Sequence, residues 1–314
     1  MEAMELKKLA AVLSKSDQYR VSEKYQKPEY YNIDDGSDKL IGVFLDIEAT
    51  GLSYDTDKMI ELGMVKFEYT EDGRIFYLLE EFSQYQDPGK PISERITKLT
   101  GITDDMVKGQ QINVEEVASY LHNVDIIIAH NAQFDRTFFE MTFPTITPKA
   151  WGCLMYDIDW KSEDISSHKL DYIAYRYNFF YEGHRAVTDS LAGIHILAQK
   201  LLNSKQPVLK QLLTNSLALR FKLWATNSPY DTKDLLRARG YKWSNNQTEK
   251  YRAWSIELTE EKVAEEISYL RSNIYDGYSI DIPIEIFDAY NSGQLQKREK
   301  YQDKLEWAKM LCGQ

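Results

Sequence analysis

Hydrophobic and polar positions change period repeatedly between residue 39 and about residue 204. LIGVFLDIEA, residues 40–49, is a nearly continuous apolar run, the pattern of a buried strand, and it ends in acidic residues. MIELGMVKFEYTEDGRIFYLLEEFSQY, residues 59–85, predicts two strands joined by a turn at Glu71-Asp72-Gly73. PISERITKLTGI and NVEEVASYLHN have helical spacing, VDIIIAHN is a short buried strand, and FDRTFFEMTF returns to a helical period. AWGCLMYDI predicts another strand, and HKLDYIAYRYNF and AVTDSLAGIHILAQKLLN two more helices. Strands and helices in this order imply a mixed sheet covered by helices, an α/β domain over residues 39–204.

The flanks have other textures. Residues 1–38 are polar and tyrosine-rich and predict an extension with a loop and one amphipathic helix, marked by Leu6, Leu9, Ala10 and Leu13. Residues 205–222 are expected to be a linker. Residues 223–289 predict a small α+β domain: KDLLRARGYKWSNNQ is a helix stopped by Gly240 and then a strand, and WSIELTEEKVAEEISYLRSNIY is a strand and an acidic helix. Residues 290–314 form a polar tail.

Composition narrows the function classes. The 43% of apolar residues is enough for a real core. No apolar run reaches the roughly 18 residues of a membrane span, and MEAMELKKLAAVLSKSDQ lacks the plan of a signal peptide. Cys153 and Cys312 are too few for a disulfide framework or a zinc site. The expectation is a cytoplasmic chain with both thiols reduced and no membrane partner. A net charge of −11 argues against a protein that coats nucleic acid nonspecifically, but not against a nuclease. Charge is locally reversed between Arg220 and Arg252, where eight Lys/Arg against three Asp/Glu give 8 − 3 = +5.

The candidate chemistry lies in acidic residues at element ends. Asp46 and Glu48 are two apart on a strand and point to one side. Asp157 and Asp159 form a rival pair that leads only into WKSED. AHNAQFD places Asp135 in the first turns of a helix, where it could serve the helix end, with Asn131 as its cap. EGHRAVTDS places His184 five residues before Asp189, and on one helix the two would diverge by roughly 140°. They converge only if His184 lies on the loop before the helix, where a mobile imidazole suits proton transfer. Carboxylates gathered at one sheet edge cannot all stay ionised without cations. Two Mg²⁺ or Mn²⁺ ions meet that need with hard oxygen ligands.

DIEATGL, HNAQFD and HRAVTD, with all five signature positions in order, resemble the three motifs of the DEDDh 3′–5′ exonucleases, the group containing the proofreading epsilon subunit of bacterial DNA polymerase III. The resemblance covers about residues 40–204. It implies a ribonuclease-H-like fold with a central mixed five-stranded sheet. It implies that Asp46, Glu48 and Asp189 hold one metal ion, that Asp46 bridges to a second served by Asp135, and that His184 is the general base. Nucleoside 5′-monophosphates would leave the 3′ end of a strand. Thr50, Gly51 and Leu52 would lie against the terminal nucleotide, with Asn131 and Phe134 flanking it. TKLTGITDDMV, residues 97–107, also resembles a stretch near the substrate strand. Ala49 departs from the commoner threonine of the first motif and loses a hydroxyl while keeping the main-chain contacts.

The C-terminal part, from PYDTKDLLRARGYKW onward, resembles a module appended to some bacterial exonucleases of this group. Lys233, Arg237 and Arg239 with Tyr241, Trp243 and Trp254 make either a basic, aromatic platform for single strands or a small packed core with a charged face. The partner expected is nucleic acid with a 3′ end, single-stranded DNA first, with a DNA polymerase as a further candidate. Two alternatives stay open: an exoribonuclease on short RNA, and a non-catalytic nucleic-acid-binding or polymerase-tethering protein.

Overall fold

The computed structural model describes residues 3–244, 251–277 and 282–290, and the chain divides into two compact units, Met1–Ser216 and Leu217–Gln314. The first unit opens with α1 (Ala3–Leu13), a two-residue strand β1 (Glu23–Lys24), and the long strands β2 (Leu40–Ala49), β3 (Met59–Tyr69) and β4 (Ile75–Tyr85). Helices α2 (Glu94–Thr100), α3 (Asp104–Val107) and α4 (Val114–Tyr120) lead to β5 (Ile126–Ala129), α5 (Ala132–Thr142) and β6 (Ala150–Cys153). Then come α6 (Leu170–Arg176), the short β7 (Phe179–Phe180), α7 (Ala186–Leu197) and α8 (Val208–Leu217).

The main sheet has the order β4-β3-β2-β5-β6, antiparallel from β4 to β2 and parallel from β2 to β6. It is the mixed five-stranded sheet of a ribonuclease-H-like fold. Alternation along β2 divides its side chains between two layers. Val43, Leu45, Ile47 and Ala49 enter a core with Val117, Tyr120, Phe138 and Phe139. Phe44 faces the other way, toward α7, where a Cβ on Gly193 would lie 2.1 Å from its ring. A Cβ on Gly63 of β3 would lie 2.5 Å from Ala186 at the start of α7. These two glycines let α7 lie directly on β2 and β3, so its first turn arrives beside the end of β2.

Three expectations meet a different structure. AWGCLMYDI is a strand only over Ala150–Cys153, because the Asp157 carboxylate accepts the Cys153 amide at 2.7 Å and turns the chain. Residues 1–38 hold, besides α1, the strand β1, which pairs in parallel with β7. Residues 205–222 contain α8 and the start of a strand, and Val208, Leu209 and Leu212 of α8 are fully buried. The polar tail lies outside the described residues beyond Tyr290. Among the described residues no helix is long and apolar enough to cross a membrane.

The second unit contains β8 (Arg220–Ala225), α9 (Lys233–Ala238), β9 (Lys242–Trp243), β10 (Trp254–Thr259), α10 (Glu260–Tyr269) and β11 (Ile284–Phe287). Its sheet, order β11-β8-β10-β9, is antiparallel throughout. Phe221, Leu223, Leu236, Tyr241, Val263 and Ile267 form its core. Gly240 ends α9 with a φ of +97°, a conformation that favours glycine.

Candidate active site

Asp46 and Glu48 leave the same face of β2, and Asp189 comes from the first turn of α7. Carboxylate oxygens of these three residues lie within 4.8 Å of one another. Asp135, on the first turn of α5, is 3% exposed and its Oδ1 accepts the Ile47 amide at 3.1 Å. That amide lies between Asp46 and Glu48, so the fourth carboxylate is tied to the strand that carries the first two. His184 lies on the loop before α7, exposed, with φ +67°. The Asp189 carboxylate accepts the Arg185 amide at 3.0 Å and the Tyr181 hydroxyl at 3.1 Å, which folds this loop back over the start of its own helix.

Electrostatics make the cluster unstable as four anions. Burial, then the charges of Asp135, Asp189 and Glu48, holds the Asp46 carboxyl well above the usual carboxylate range. Burial and then Asp189 push Glu48 up to about 8. Asp135 and Asp189 are raised as well, burial being the first cause in each. Three hard oxygen donors within 4.8 Å, crowded and dehydrated, fit a divalent cation.

Around this centre the expected contact residues are arranged unevenly. Leu52 is 76% exposed, so it does not serve the core. Thr50 donates its hydroxyl to Asp57 at 2.9 Å and accepts the Lys58 amide at 3.1 Å, which closes the turn after β2. Gly51 is needed by that turn itself, since a Cβ would lie 2.4 Å from the Asp57 carboxylate. Phe134 is half-buried, with ring centroids 4.9 Å from Phe138 and 6.3 Å from Tyr54. Asn131 stands at the start of α5, but its side chain does not cap the helix. The preceding His130 has both ring nitrogens buried and without a hydrogen-bond partner, and burial pushes its imidazole down to about 4. The rival pair is structural: Asp157 closes the turn after β6, and Asp159 accepts the Ser162 amide at 3.2 Å.

Two residues of the site were not singled out by sequence reasoning. Glu61 of β3, opposite Glu48 in the ladder, is 1% exposed and accepts hydrogen bonds from Arg185 and from the Ala186 amide, both at 3.2 Å. Its signal was a lone acid in the apolar run MIELGMV, where an unpaired charge would be costly. Tyr181, bonded to Asp189, carried no comparable signal.

The aromatic and basic set of the second unit divides between core and surface. Tyr241 is buried and donates to Glu266 at 3.0 Å. Arg239 is bonded to the same carboxylate and lies over the Tyr269 ring. Trp243 stays 45% exposed, edge-on to Trp254, with Arg237 near the Trp254 ring. Tyr241 and Arg239 therefore serve packing, and the six residues do not make one platform.

Residues 43–197 match the family model described as an exonuclease, RNase T. The chain is 32% identical over 169 residues to the PolC-type DNA polymerase III of Halalkalibacterium halodurans, covering 49% of this chain and 11% of that protein. It is 27% identical over 235 residues to the PolC-type DNA polymerase III of Bacillus subtilis, covering 65% of this chain and 16% of that protein. The chain thus spans only a small part of the length of these relatives. Among solved structures it is similar to E. coli Exonuclease I in complex with a dA16 oligonucleotide, at 13% identity and a TM-score of 0.47, covering 87% of this chain and 69% of that one. The matched family is divalent-metal dependent, in keeping with the clustered carboxylates. Residues 43–197 are thus an exonuclease domain of the RNase T type, and these likenesses support a DEDDh 3′–5′ exonuclease.

Proposed function

We propose that the protein is a metal-dependent 3′–5′ exonuclease that shortens DNA by releasing nucleoside 5′-monophosphates. The observation behind this reading is the convergence of the Asp46, Glu48 and Asp189 carboxylates within 4.8 Å beside buried Asp135. These residues would hold two Mg²⁺ or Mn²⁺ ions, one by Asp46, Glu48 and Asp189, the other by Asp46 and Asp135. When bound, such ions offset the crowded negative charge and act as Lewis acids toward a phosphodiester.

The chain's own residues do the rest. His184, exposed on its loop, takes the proton of the attacking water as general base. Asp189 accepts the neighbouring Arg185 amide and so keeps that loop against the carboxylates. Exposed Leu52 lies against the terminal base, and main-chain groups of Thr50 and Gly51 orient the last nucleotide. Phe134, backed by Phe138 and Tyr54, offers an aromatic wall beside Asp135, with Asn131 at its edge.

DNA is favoured over RNA because the relatives are DNA polymerases III by name. A DNA polymerase is the partner class they point to. The test is a digest of DNA and RNA oligonucleotides of equal sequence with Mn²⁺. Faster loss of nucleotides from DNA supports the proposal, and faster digestion of RNA would replace it with an exoribonuclease.

A further inference from the structure

The loop that carries His184 is fixed at its two ends and poorly supported between them. His184 has a φ of +67°, in the left-handed region that is uncommon for non-glycine residues and carries a backbone cost. On the C-terminal side, Glu61 binds Arg185 and the Ala186 amide, and Asp189 binds the Arg185 amide. A cavity of about 400 Å³ lies beside the loop, against Tyr181, Gly183 and Arg185, so core packing does not hold it there. The N-terminal side depends on β7, a strand of two residues outside the main sheet.

The partner of β7 comes from the chain's first forty residues. The Glu23 amide donates to Asn178 O at 3.0 Å, and the Tyr25 amide to Phe180 O at 2.8 Å. The Arg20 guanidinium donates to Asn178 Oδ1 and to the Tyr175 and Arg176 carbonyls at 3.1, 2.7 and 2.8 Å, while lying 4.0 Å from the Tyr175 ring centroid. It thereby satisfies carbonyls at the end of α6, just before β7. Tyr25 packs its ring on Phe179 and on His195 of α7, and Lys24 pairs with Glu182 at 2.7 Å. Phe179 in turn meets Tyr181, which holds Asp189. All of these strap residues precede the stretch matched by the exonuclease family model, which begins at residue 43.

We propose that residues 20–25 are a positioning strap for the reaction, in which Arg20 and Tyr25 fix the N-terminal end of the His184 loop. The proposal rests on the reading of His184 as the base. It assigns the strap no contact with substrate or metal. Loosening it should therefore misplace the imidazole while leaving the carboxylate cluster intact.

The test uses the full chain with Arg20→Ala, Tyr25→Ala and Tyr25→Phe. Three quantities are read: kcat and KM on an oligonucleotide with Mn²⁺, Mn²⁺ affinity by electron paramagnetic resonance, and the ¹³C-imidazole resonance of His184. Arg20→Ala and Tyr25→Ala should lower kcat by about 10–100-fold, the scale of a small misplacement of a reacting group. KM and Mn²⁺ affinity should stay within about twofold of the parent, and the His184 resonance should broaden or shift. Tyr25→Phe, which keeps the ring, should restore the parent values. Unchanged kcat with an unchanged His184 resonance would overturn the proposal, and so would an equal fall in kcat and Mn²⁺ affinity. Arg20 is exposed, so its truncation spares the core and keeps the test open if Tyr25→Ala misfolds. A parent enzyme that cuts nothing would sink the exonuclease reading alone. The His184 resonance would still decide whether the strap holds the loop.

Discussion

The buried Glu61 carboxylate lies 3.2 Å from the half-exposed guanidinium of Arg185, the residue that follows His184. Because exposure of this pair is lopsided, 1% for Glu61 against 46% for Arg185, the two partners should not be equally costly to remove. Arg185→Ala leaves a carboxylate in the sheet with the Ala186 amide, and should cost about 3 kcal/mol. Glu61→Gln keeps a polar group of the same shape and frees a guanidinium that water reaches, and should cost about 1 kcal/mol. Urea denaturation of both variants in EDTA checks this, and equal losses would contradict it.

Stability should depend on pH in a way that cations reverse. Glu48 is raised from 4.5 to about 8, and Asp46, Asp135 and Asp189 are raised with it. The folded chain then keeps protons that the unfolded chain releases. This contribution to stability is present below about pH 4.5 and lost as pH rises toward 8. Carboxylates held low by their partners, such as Asp57 and Asp87, act below about pH 4 and outside this window. In EDTA the melting temperature should fall between pH 5 and 8, and Mn²⁺ should raise it far more at pH 8 than at pH 5. A melting temperature that rises across that window in EDTA would count against the crowded-carboxylate picture.

His184→Gln should lower kcat by about 10²–10⁴-fold. Mn²⁺ affinity should be retained, because His184 is not among the clustered carboxylates of Asp46, Glu48 and Asp189. Parent turnover in a folded variant would remove His184 from the base role.

The first unit should need α8. Val208, Leu209 and Leu212 are fully buried, and Leu212 lies over Gly152 of β6. A chain ending at Leu202 loses four buried apolar side chains, these three and Leu213, each worth about 1.5–3 kcal/mol, and should melt well below a chain ending at Ser216. Equal melting temperatures for the two truncations would show that α8 is dispensable.

Much of the domain was legible because its signals are local. The apolar run into Asp46 and Glu48, the turn at Glu71-Asp72-Gly73 and the periodicity of α5 and α7 each reflect burial within one element. The need to bring His184 and Asp189 together put the histidine on a loop, and there it lies. What was hidden depends on pairing between distant segments. Glu61 gains its role from Arg185, 124 residues away, and β1 exists only because β7 offers an unpaired edge. The helix in 205–222 was legible in principle, since Val208, Leu209, Leu212 and Leu213 have helical spacing. For Tyr241 and Arg239 the sequence left platform and packed core both open, and Glu266 of α10, which binds both, decides for packing.

The most direct measurement follows a 5′-labelled DNA oligonucleotide incubated with the full chain and Mn²⁺, with the parent and Asp46→Asn side by side. The account predicts a ladder that shortens from the 3′ end with release of nucleoside 5′-monophosphates, lost in EDTA and lost in Asp46→Asn. An intact oligonucleotide with the parent, or an identical ladder from Asp46→Asn, would contradict it.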